Sequence, residues 1–534
     1  MNNVYLIGMC ISMILFLLIG FFISRKVKNK NDFYVAGRKA PVLLIAGSLI
    51  ASYTSTGLFM GDAATFYDGG FSAMLLLSGM QVAGYILGAV IFGRYLRRSQ
   101  VYTIPEFFGK RFCSTHMRKL SAVTAIVTMV VYLLSTIQGI GTLMSIVTKL
   151  DYRICVVIAT AVFMVICILS GSRGVLITDT LMAALFTLAA IVSVIVIASE
   201  NGGWFTSIDK IASDESLKGL LSWGGRSGAL YDDGISNVVW GIIYGVVWMS
   251  VCMAGPWQSS RYLMAKNEST VINSSFIAAI GIFLLEFLIG MAAVFINLNN
   301  PEMSSTSHVM IWAAMNVLPT FLGVLLLTGV LSAGISSATT FLSLIGSSVA
   351  NDFMIRTGAK NDKTSILISR ISMLIAGCLV LVLSLVNSPA IFWIMFFGGA
   401  IIASSWMPVT LASIVSKRVT KTGAFCGMLT GFVSCFVLKM ISTIAKITLP
   451  VYLDPSFVGI ILNIVAIIIG SACTKVTEEE KQARQALFVT PQSEINGLLM
   501  RKTLKNTKWS FLIGIFVLIV LVAFWAIPYL VSVN

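Results

Sequence analysis

The sequence predicts an all-α membrane protein, and three features of the chain support this fold class. The 534 residues are 57% hydrophobic and only 11% charged, whereas soluble domains are about 45–50% apolar and about 25% charged. The mean hydropathy of +0.92 is far above that of a water-soluble globule. Roughly fourteen apolar runs reach the length of about 18 residues that a bilayer-spanning helix needs.

The predicted spans follow one another along the whole chain. The first is interpreted as a retained helix, because it is too long and too uncharged at its front for a signal peptide. The spans cover residues 4–24, 41–67, 72–94, 119–147, 154–172, 176–198, 236–254, 271–297, 319–348, 366–387, 391–414, 422–444, 456–473 and 509–531.

Lysine and arginine are concentrated in alternate loops, starting with 25–39 after the first span and 95–118 after the third. The loop 200–233, on the other side, is acidic. By the positive-inside rule both termini lie outside the plasma membrane. Orientation therefore explains the net charge of +15, and no nucleic-acid partner is predicted. No protein partner is inferred. Because the sequence has no P-loop, direct ATP drive is not expected, and without a kinase, nucleotide-binding or protease motif no enzymatic activity is predicted.

Two of the spans contain residues that interrupt a helix. The second span has a run of small hydroxyl residues, including Ser55, that ends at Gly57, and the seventh runs into Gly255 and Pro256. Proline lacks the donor of the helical ladder and clashes with the preceding turn. Two unwound spans, five spans apart, fit an inverted repeat of five plus five helices whose freed carbonyls bind a cation. The alternative is that glycine and proline merely kink ordinary membrane helices.

The ninth span has an unusual density of hydroxyl side chains. Ala333, Ser336, Ser337 and Thr340 share one helical face at i, i+3, i+4 and i+7. A sodium ion needs several oxygens at close range, and hydroxyls and carbonyls provide them without the cost of burying a full negative charge. The alternative is close helix packing by small residues, which is common in membranes.

Five motifs, in this order, resemble the sodium:solute symporter family, which includes the sodium–glucose, proline, pantothenate and sialic acid symporters. The likeness runs from about residue 1 to 470 and is carried by Phe33-Tyr-Val-Ala-Gly-Arg38, Tyr102-Thr-Ile-Pro-Glu-Phe-Phe-Gly-Lys-Arg-Phe112, Thr178-Asp179, Gly255-Pro256 leading to Arg261, and the Ser336/Ser337 block that ends in Asn351-Asp352-Phe353.

The resemblance implies a LeuT-type fold in which one helix precedes a ten-helix core. We expect five regions along the chain. These are a first helix with a cytoplasmic loop (1–40), the inverted-repeat core (41–414), two additional helices (415–473), a cytoplasmic linker (474–508) and a final transmembrane helix (509–534).

The resemblance also implies sodium sites. The principal site falls on the carbonyls of Ala51, Thr54 and Ala333 and on the hydroxyls of Ser336 and Ser337. A second site, which only some members use, falls on Ser336, Thr339, Thr340 and Asp179. In this second site, threonine replaces the serine that is usual in the family and keeps a hydroxyl oxygen for the ion. Asp179 could instead be only a stop on the ion's exit path.

Ionisable residues within membrane spans are functional candidates by default. Asp62 is interpreted as a contact to a substrate amine or a proton-titrating group, and alternatively as a helix-end residue that reaches outside water. Glu286 is interpreted similarly, or as a protonated side chain that bonds a neighbouring helix. Because no lysine or arginine is expected deep in the core spans, a zwitterionic or cationic solute is favoured.

Aromatic residues complete the candidate solute site. Trp240, Tyr244 and Trp248 form a stripe on the seventh span, Trp257 follows the break, and Phe396 is a candidate lid. Such rings can stack on a sugar or hold an ammonium group, although such a stripe is more often packing or an interface belt. The predicted solute contacts are Ser55, Asp62, Tyr244, Gly255, Trp257, Glu286 and Phe396.

The predicted function is sodium-coupled symport of a small organic solute of amino acid or betaine type into the cell. A sugar or a pantothenate-like carboxylate is the alternative solute, and proton coupling is the main competing drive. A sensor that has kept the transporter fold and a passive channel are the alternatives from other classes.

Overall fold

The computed structural model describes residues 2–24, 29–353, 362–386, 389–491, 501, 503 and 505–533. These residues fold almost entirely into helices, and within them the only β pairing is an isolated parallel bridge between Ala40 and Ala265. The all-α prediction is therefore confirmed. Part of the expected linker, 492–500, and the loop positions 25–28 and 354–361 lie outside the described residues.

The first half of the described chain has seven apolar helices. They are α1 (Asn2–Ser24), α2 (Val42–Tyr53), α3 (Gly57–Tyr67), α4 (Phe71–Arg98), α5 (Thr115–Thr148), α6 (Tyr152–Ile168) and α7 (Gly174–Glu200).

Besides the short helix Val309–Asn316, the second half of the described chain contains ten helices. They are α8 (Gly234–Ala254), α9 (Pro256–Met264), α10 (Glu268–Ile296), α11 (Thr320–Phe353), α12 (Asp362–Val386), α13 (Ile391–Val415), α14 (Lys421–Ile444), α15 (Pro455–Ala472), α16 (Glu478–Phe488) and α17 (Thr507–Val533).

The number of membrane spans agrees approximately with the predicted fourteen. Among the described residues, twelve helices are long and apolar enough to cross a bilayer, with α8 and α9 counted together, and the bent pair α2–α3 makes a thirteenth. The remaining predicted span corresponds to α6, which is apolar but shorter. It joins α7 at Gly171, whose φ of 56° lies in the left-handed region that favours glycine.

Both predicted interruptions are present, but they differ in extent. Between α2 and α3 the chain bends by 48°, and Thr54 takes an extended conformation. Between α8 and α9 only Gly255 leaves the helix, with φ −55° and ψ 137°. An added Cβ at Gly255 would lie 2.6 Å from the carbonyl oxygen of Val251, so the tight turn has no room for a side chain.

The interior of the bundle is formed by α8–α9, α10, α11 and α13. Between 72% and 78% of their most apolar windows is buried, compared with 28% for α12 and α14 and 22% for α17. The less buried helices leave apolar side chains for lipid. The broken α2 packs against α7, α10 and α11, so the interruption lies against the most buried part of the bundle.

A charged network ties helices together at the basic end of the bundle. Glu106 pairs with Lys110 Nζ at 3.2 Å and Arg118 at 3.9 Å, and it accepts the Tyr102 N–H at 2.9 Å. Arg118 also pairs with Asp352 at 2.8 Å. Burial raises the pKa of the Glu106 carboxyl, but the Tyr102 hydrogen bond and the two cations outweigh burial, so its pKa lies below the ordinary value.

Candidate functional site

The break after α2 frees backbone carbonyls in the middle of the bundle. Because the helix ends at Tyr53, carbonyls in its last turn lose their intrahelical donors. Ser55 stabilises the break locally, since its hydroxyl accepts the N–H of Gly57 at 3.0 Å. Ala51 is fully buried, and so is Thr54, whose Oγ1 lacks a hydrogen-bond partner.

Two serines on α11 face these freed carbonyls. Ser336 Oγ lies 3.3 Å from the Ala51 carbonyl, and Ser337 Oγ lies 3.1 Å from the Thr54 carbonyl. Ala333 is buried one turn earlier on the same helix. The arrangement brings two neutral carbonyls and two hydroxyls together at the junction of α2 and α11, which is a donor set of the kind that a small alkali cation prefers.

Asp179 on α7 lies beside this junction, but it already has a cationic partner. Its Oδ1 accepts Ser336 Oγ at 2.9 Å, while its Oδ2 accepts Ser48 Oγ at 2.7 Å and lies 2.9 Å from Arg261. Arg261 also donates to Thr340 Oγ1 at 2.6 Å. One guanidinium therefore engages two of the predicted second-site residues, while Thr339 Oγ1 donates only to carbonyls of its own helix.

The expectation that no arginine lies deep in the core spans is wrong. The Arg261 side chain is 2% exposed and the Asp179 side chain is 0% exposed. The reason is that the helix resumes at Pro256 and continues to Met264, which carries Arg261 into the interior. A buried ion pair of this kind is retained because an uncompensated charge in the interior would be costly.

Two further carboxylates are buried without a cationic partner among the described residues. Asp62 is 4% exposed and Glu286 is 0% exposed. Glu286 Oε1 accepts Tyr53 OH at 3.0 Å and Gln81 Nε2 at 3.1 Å, but Glu286 Oε2 and Asp62 Oδ1 have no hydrogen-bond partner. Burial contradicts the alternative that Asp62 merely reaches outside water.

An inner aromatic cluster lies next to these carboxylates and consists of Tyr53, Tyr132, Trp248, Trp257 and Phe341. The Tyr132 ring is 6.3 Å from Trp248, 5.2 Å from Trp257 and 4.7 Å from Phe341, measured between centroids. Trp248 also contacts Tyr53 at 5.5 Å. Among the described residues, the indole N–H groups of Trp248 and Trp257 are buried without acceptors, so the cluster offers two hydrogen-bond donors.

The other two aromatic candidates, Tyr244 and Phe396, belong to an outer cluster. Tyr244 stacks on Trp240 at 4.6 Å and contacts Phe396 at 5.1 Å, while its hydroxyl lies 3.0 Å from Asp454 Oδ2. Phe396 also contacts Trp248 at 5.4 Å. Phe396 thus connects the two clusters, whereas the Tyr244 hydroxyl is committed to the Asp454 side chain.

A cavity of about 560 Å³ lies beside α3, between Gly61, His308 and the aromatic pair Phe392 and Trp393. Asp62 is the next residue after Gly61. The cavity therefore lies within one residue of Asp62, at the end of the bundle opposite to the charged network.

Sequence reasoning did not single out Tyr53, Gln81 or Tyr132. Gln81 could have been found as an amide in an otherwise apolar span, because a polar side chain at membrane depth needs a partner. Tyr53 and Tyr132 carried no such signal, since tyrosine is ordinary in membrane helices.

Comparison with known proteins assigns the chain to a family. The model of the sodium:solute symporter family matches residues 33–431, which is most of the chain. The chain belongs to the sodium:solute symporter family. It is 28% identical over 489 residues to the osmoregulated proline transporter OpuE of Bacillus subtilis (strain 168), covering 88% of this chain and 95% of that protein.

The fold has relatives among solved structures. One is a substrate-bound, outward-open Na⁺-coupled sialic acid symporter, with a TM-score of 0.73 and 15% identity over 89% of this chain and 99% of that chain. Another is MHP1, a nucleobase-cation-symport-1 family transporter, with a TM-score of 0.52 and 11% identity over 85% of this chain and 98% of that chain. The LeuT-type fold is confirmed, and the protein is a membrane transporter of a sodium-coupled family, not an enzyme.

Proposed function

We propose that this sodium:solute symporter imports a small organic solute with sodium by alternating access, through a transport core at 41–414. The observation that carries the proposal is the pairing of Ser336 and Ser337 hydroxyls with the freed carbonyls of Ala51 and Thr54. With Ala333, these oxygens form the proposed principal sodium site. Bound sodium would join α2 to α11, so ion binding would depend on how these two helices are positioned relative to each other.

The ion gradient is sufficient for this task. One Na⁺ that moves inward across 100 mV provides about 2.3 kcal/mol, and a tenfold concentration gradient adds about 1.4 kcal/mol. Together these correspond to about 500-fold accumulation of solute per sodium ion.

We assign the coupling to the principal site in preference to the second set. Asp179 and Thr340 are already bonded to Arg261, so a second ion there would share its ligands with a guanidinium. A role for Asp179 on the ion's exit path stays the alternative.

The proposed solute is zwitterionic or cationic, of amino acid or betaine type. Asp62 Oδ1 and Glu286 Oε2 are free acceptors that suit a positively charged group, while the Trp248 and Trp257 N–H groups are free donors that suit a carboxylate. The aromatic rings of the inner cluster would enclose an ammonium group by cation–π attraction. The proline transporter among the relatives supports this class. A sugar or carboxylate solute is the alternative. It is favoured if the two indole N–H groups, and not Asp62 and Glu286, determine the affinity for the solute.

The proposed orientation has both termini outside the plasma membrane, with the charged network at the cytoplasmic end, as the distribution of lysine and arginine indicates. The cavity beside Gly61 would then open to the outside.

Uptake into proteoliposomes tests the proposal. Ser336→Ala removes a proposed sodium ligand, while Ser332→Ala removes a buried hydroxyl that bonds only the Gly329 carbonyl of the same helix. Loss of one hydrogen-bonding group to a charge costs about 1.5 kcal/mol or more, so Ser336→Ala should raise the sodium concentration for half-maximal uptake about tenfold. Ser332→Ala should leave that concentration unchanged.

Equal sodium dependence in the two variants would reject the site. Uptake driven by a pH step without sodium would favour proton coupling, and uptake without accumulation would favour a channel. Solute binding without any flux would favour a sensor.

A further inference from the structure

A basic cavity lies where α16 packs against the end of α13. Its volume is about 480 Å³, and its lining includes Arg111, Lys417, Glu480, Lys481, Arg484 and Phe488. Four of these six side chains are cationic and one is anionic. The transport function described above uses none of them.

The one acid in the lining uses its carboxylate oxygens to accept backbone N–H groups. Glu480 Oε1 accepts the backbone N–H of Lys421 at 2.5 Å, and Oε2 accepts the N–H of Thr477 at 2.7 Å. Lys481 pairs with Glu478 at 2.6 Å. Among the described residues, neither Arg111 nor Arg484 forms an ion pair with a carboxylate.

Backbone carbonyls at the end of α13 hold the two guanidinium groups close together. Arg111 Nε donates to the Ser413 carbonyl at 2.6 Å, and Arg484 donates to the Ile414 carbonyl at 2.7 Å. Arg484 Nε is buried without a partner. Burial, with a further contribution from the nearby charge of Arg484, lowers the pKa of Arg111 to about 10, while Glu480 acts in the opposite direction.

Capping of the C-terminus of α13 explains only part of the positive charge in this cavity. The C-terminal carbonyls of a helix carry the equivalent of about −0.5 elementary charge and Glu480 in the lining carries one negative charge, whereas two guanidinium groups and Lys417 carry three positive charges. A surplus of positive charge is therefore held in a concave site, where a planar guanidinium can bind phosphate oxygens in pairs.

The cavity lies at the level of a membrane surface. The carbonyls that hold the arginines are the last of the apolar span α13, which ends at Val415. Three apolar side chains near the cavity are exposed: Val415 at 67%, Phe488 at 42% and Val489 at 67%. Apolar exposure beside a basic pocket matches the boundary between acyl chains and headgroups.

We propose that this cavity binds the phosphate of an anionic phospholipid headgroup, with Arg111, Arg484 and Lys417 as its ligands and the exposed apolar side chains against the acyl chains. The bound lipid would join α16 to the end of α13. The proposal is independent of the sodium site and of the identity of the solute.

The test measures lipid binding to the purified full-length protein in detergent. Native mass spectrometry would compare retention of phosphatidylglycerol with retention of phosphatidylcholine for the wild type, Lys417→Gln and Arg484→Gln. Lys119→Gln serves as the control, because Lys119 is an exposed lysine outside the cavity lining. Thermal unfolding with added lipid would show whether each variant is folded.

We expect a preference for phosphatidylglycerol in the wild type, reduced about fivefold by Lys417→Gln, as for loss of one cation near a charged membrane surface. Arg484→Gln should reduce it at least as much, and Lys119→Gln should not change it. Equal retention of the two lipids, or equal loss in Lys119→Gln, would overturn the proposal. Full competition by millimolar inorganic phosphate would also overturn it and identify a free-phosphate site.

Discussion

Substitution of Asp62 by asparagine separates solute recognition from the stability of the fold. Asp62 is buried, and among the described residues its Oδ1 has no hydrogen-bond partner, so any negative charge on it lacks compensation. Asparagine has the same shape and keeps one acceptor oxygen but removes the charge. We expect the solute-free Asp62→Asn protein to unfold at the same temperature as the wild type or higher, since an unpaired buried charge is destabilising.

The effect on binding should have the opposite sign. A hydrogen bond between a carboxylate and an ammonium group contributes about 1.5–3 kcal/mol, which corresponds to about a 10- to 160-fold weaker binding of an amine-bearing solute. The half-saturating sodium concentration for binding should change far less, because Asp62 is not a proposed sodium ligand.

The assay is equilibrium binding of a solute selected by a thermal-shift screen of amino acids, betaines, sugars and carboxylates in the presence of sodium. Asp68→Asn is the control, because Asp68 lies just after the same helix and bonds Thr306 Oγ1 at 3.1 Å. Unchanged affinity in Asp62→Asn, or an equal loss in Asp68→Asn, would refute the assignment of Asp62 to the solute's positive group.

Substitutions of Arg261, Ser337 and Glu106 test three further parts of the structure. Arg261→Met should strongly lower the unfolding temperature, because removing one partner of a buried pair costs about 3–5 kcal/mol. Adding Asp179→Asn to Arg261→Met should restore part of the lost unfolding temperature. An unchanged unfolding temperature in Arg261→Met would contradict the pairing. Ser337→Ala should raise the half-saturating sodium concentration without changing the Hill coefficient, whereas a lower Hill coefficient only in Ser336→Ala would indicate a second ion. The lowered pKa of Glu106 stabilises the fold at pH values above about 4.3, its unfolded value, and this stabilisation is lost as the pH falls through the folded value. Glu106→Gln should therefore have a lower free energy of unfolding than the wild type at pH 7, and this difference should shrink as the pH is lowered. A difference that does not change with pH would contradict the stabilising role of the Glu106 charge.

The membrane spans could be predicted from sequence because they depend on the length and polarity of local segments. The same holds for the break at Thr54 and Ser55 and for the turn at Gly255, where residue type alone disfavours a helix. The serine face of α11 also followed from helical spacing, and α2 lies against it in the structure.

The partners of buried charges could not be predicted in this way. Arg261 meets Asp179 across 82 residues, and Tyr244 meets Asp454 across 210 residues; no local pattern encodes either contact. Such pairings depend on how the helices pack, and the resumption of the helix after Pro256 is what moved Arg261 from a predicted span end into the interior.

Neutral oxygens of the broken α2 and of α11 are proposed to hold one sodium ion. Thermal unfolding of the purified, solute-free protein in sodium, potassium and choline chloride at equal ionic strength would reveal this ion. We expect a saturable rise of the midpoint in sodium alone, because an ion that binds only the folded protein stabilises it by mass action, and loss of that rise in the Ser336→Ala/Ser337→Ala double variant. The same midpoint in all three salts, or a sodium-specific rise that survives the double substitution, would contradict it.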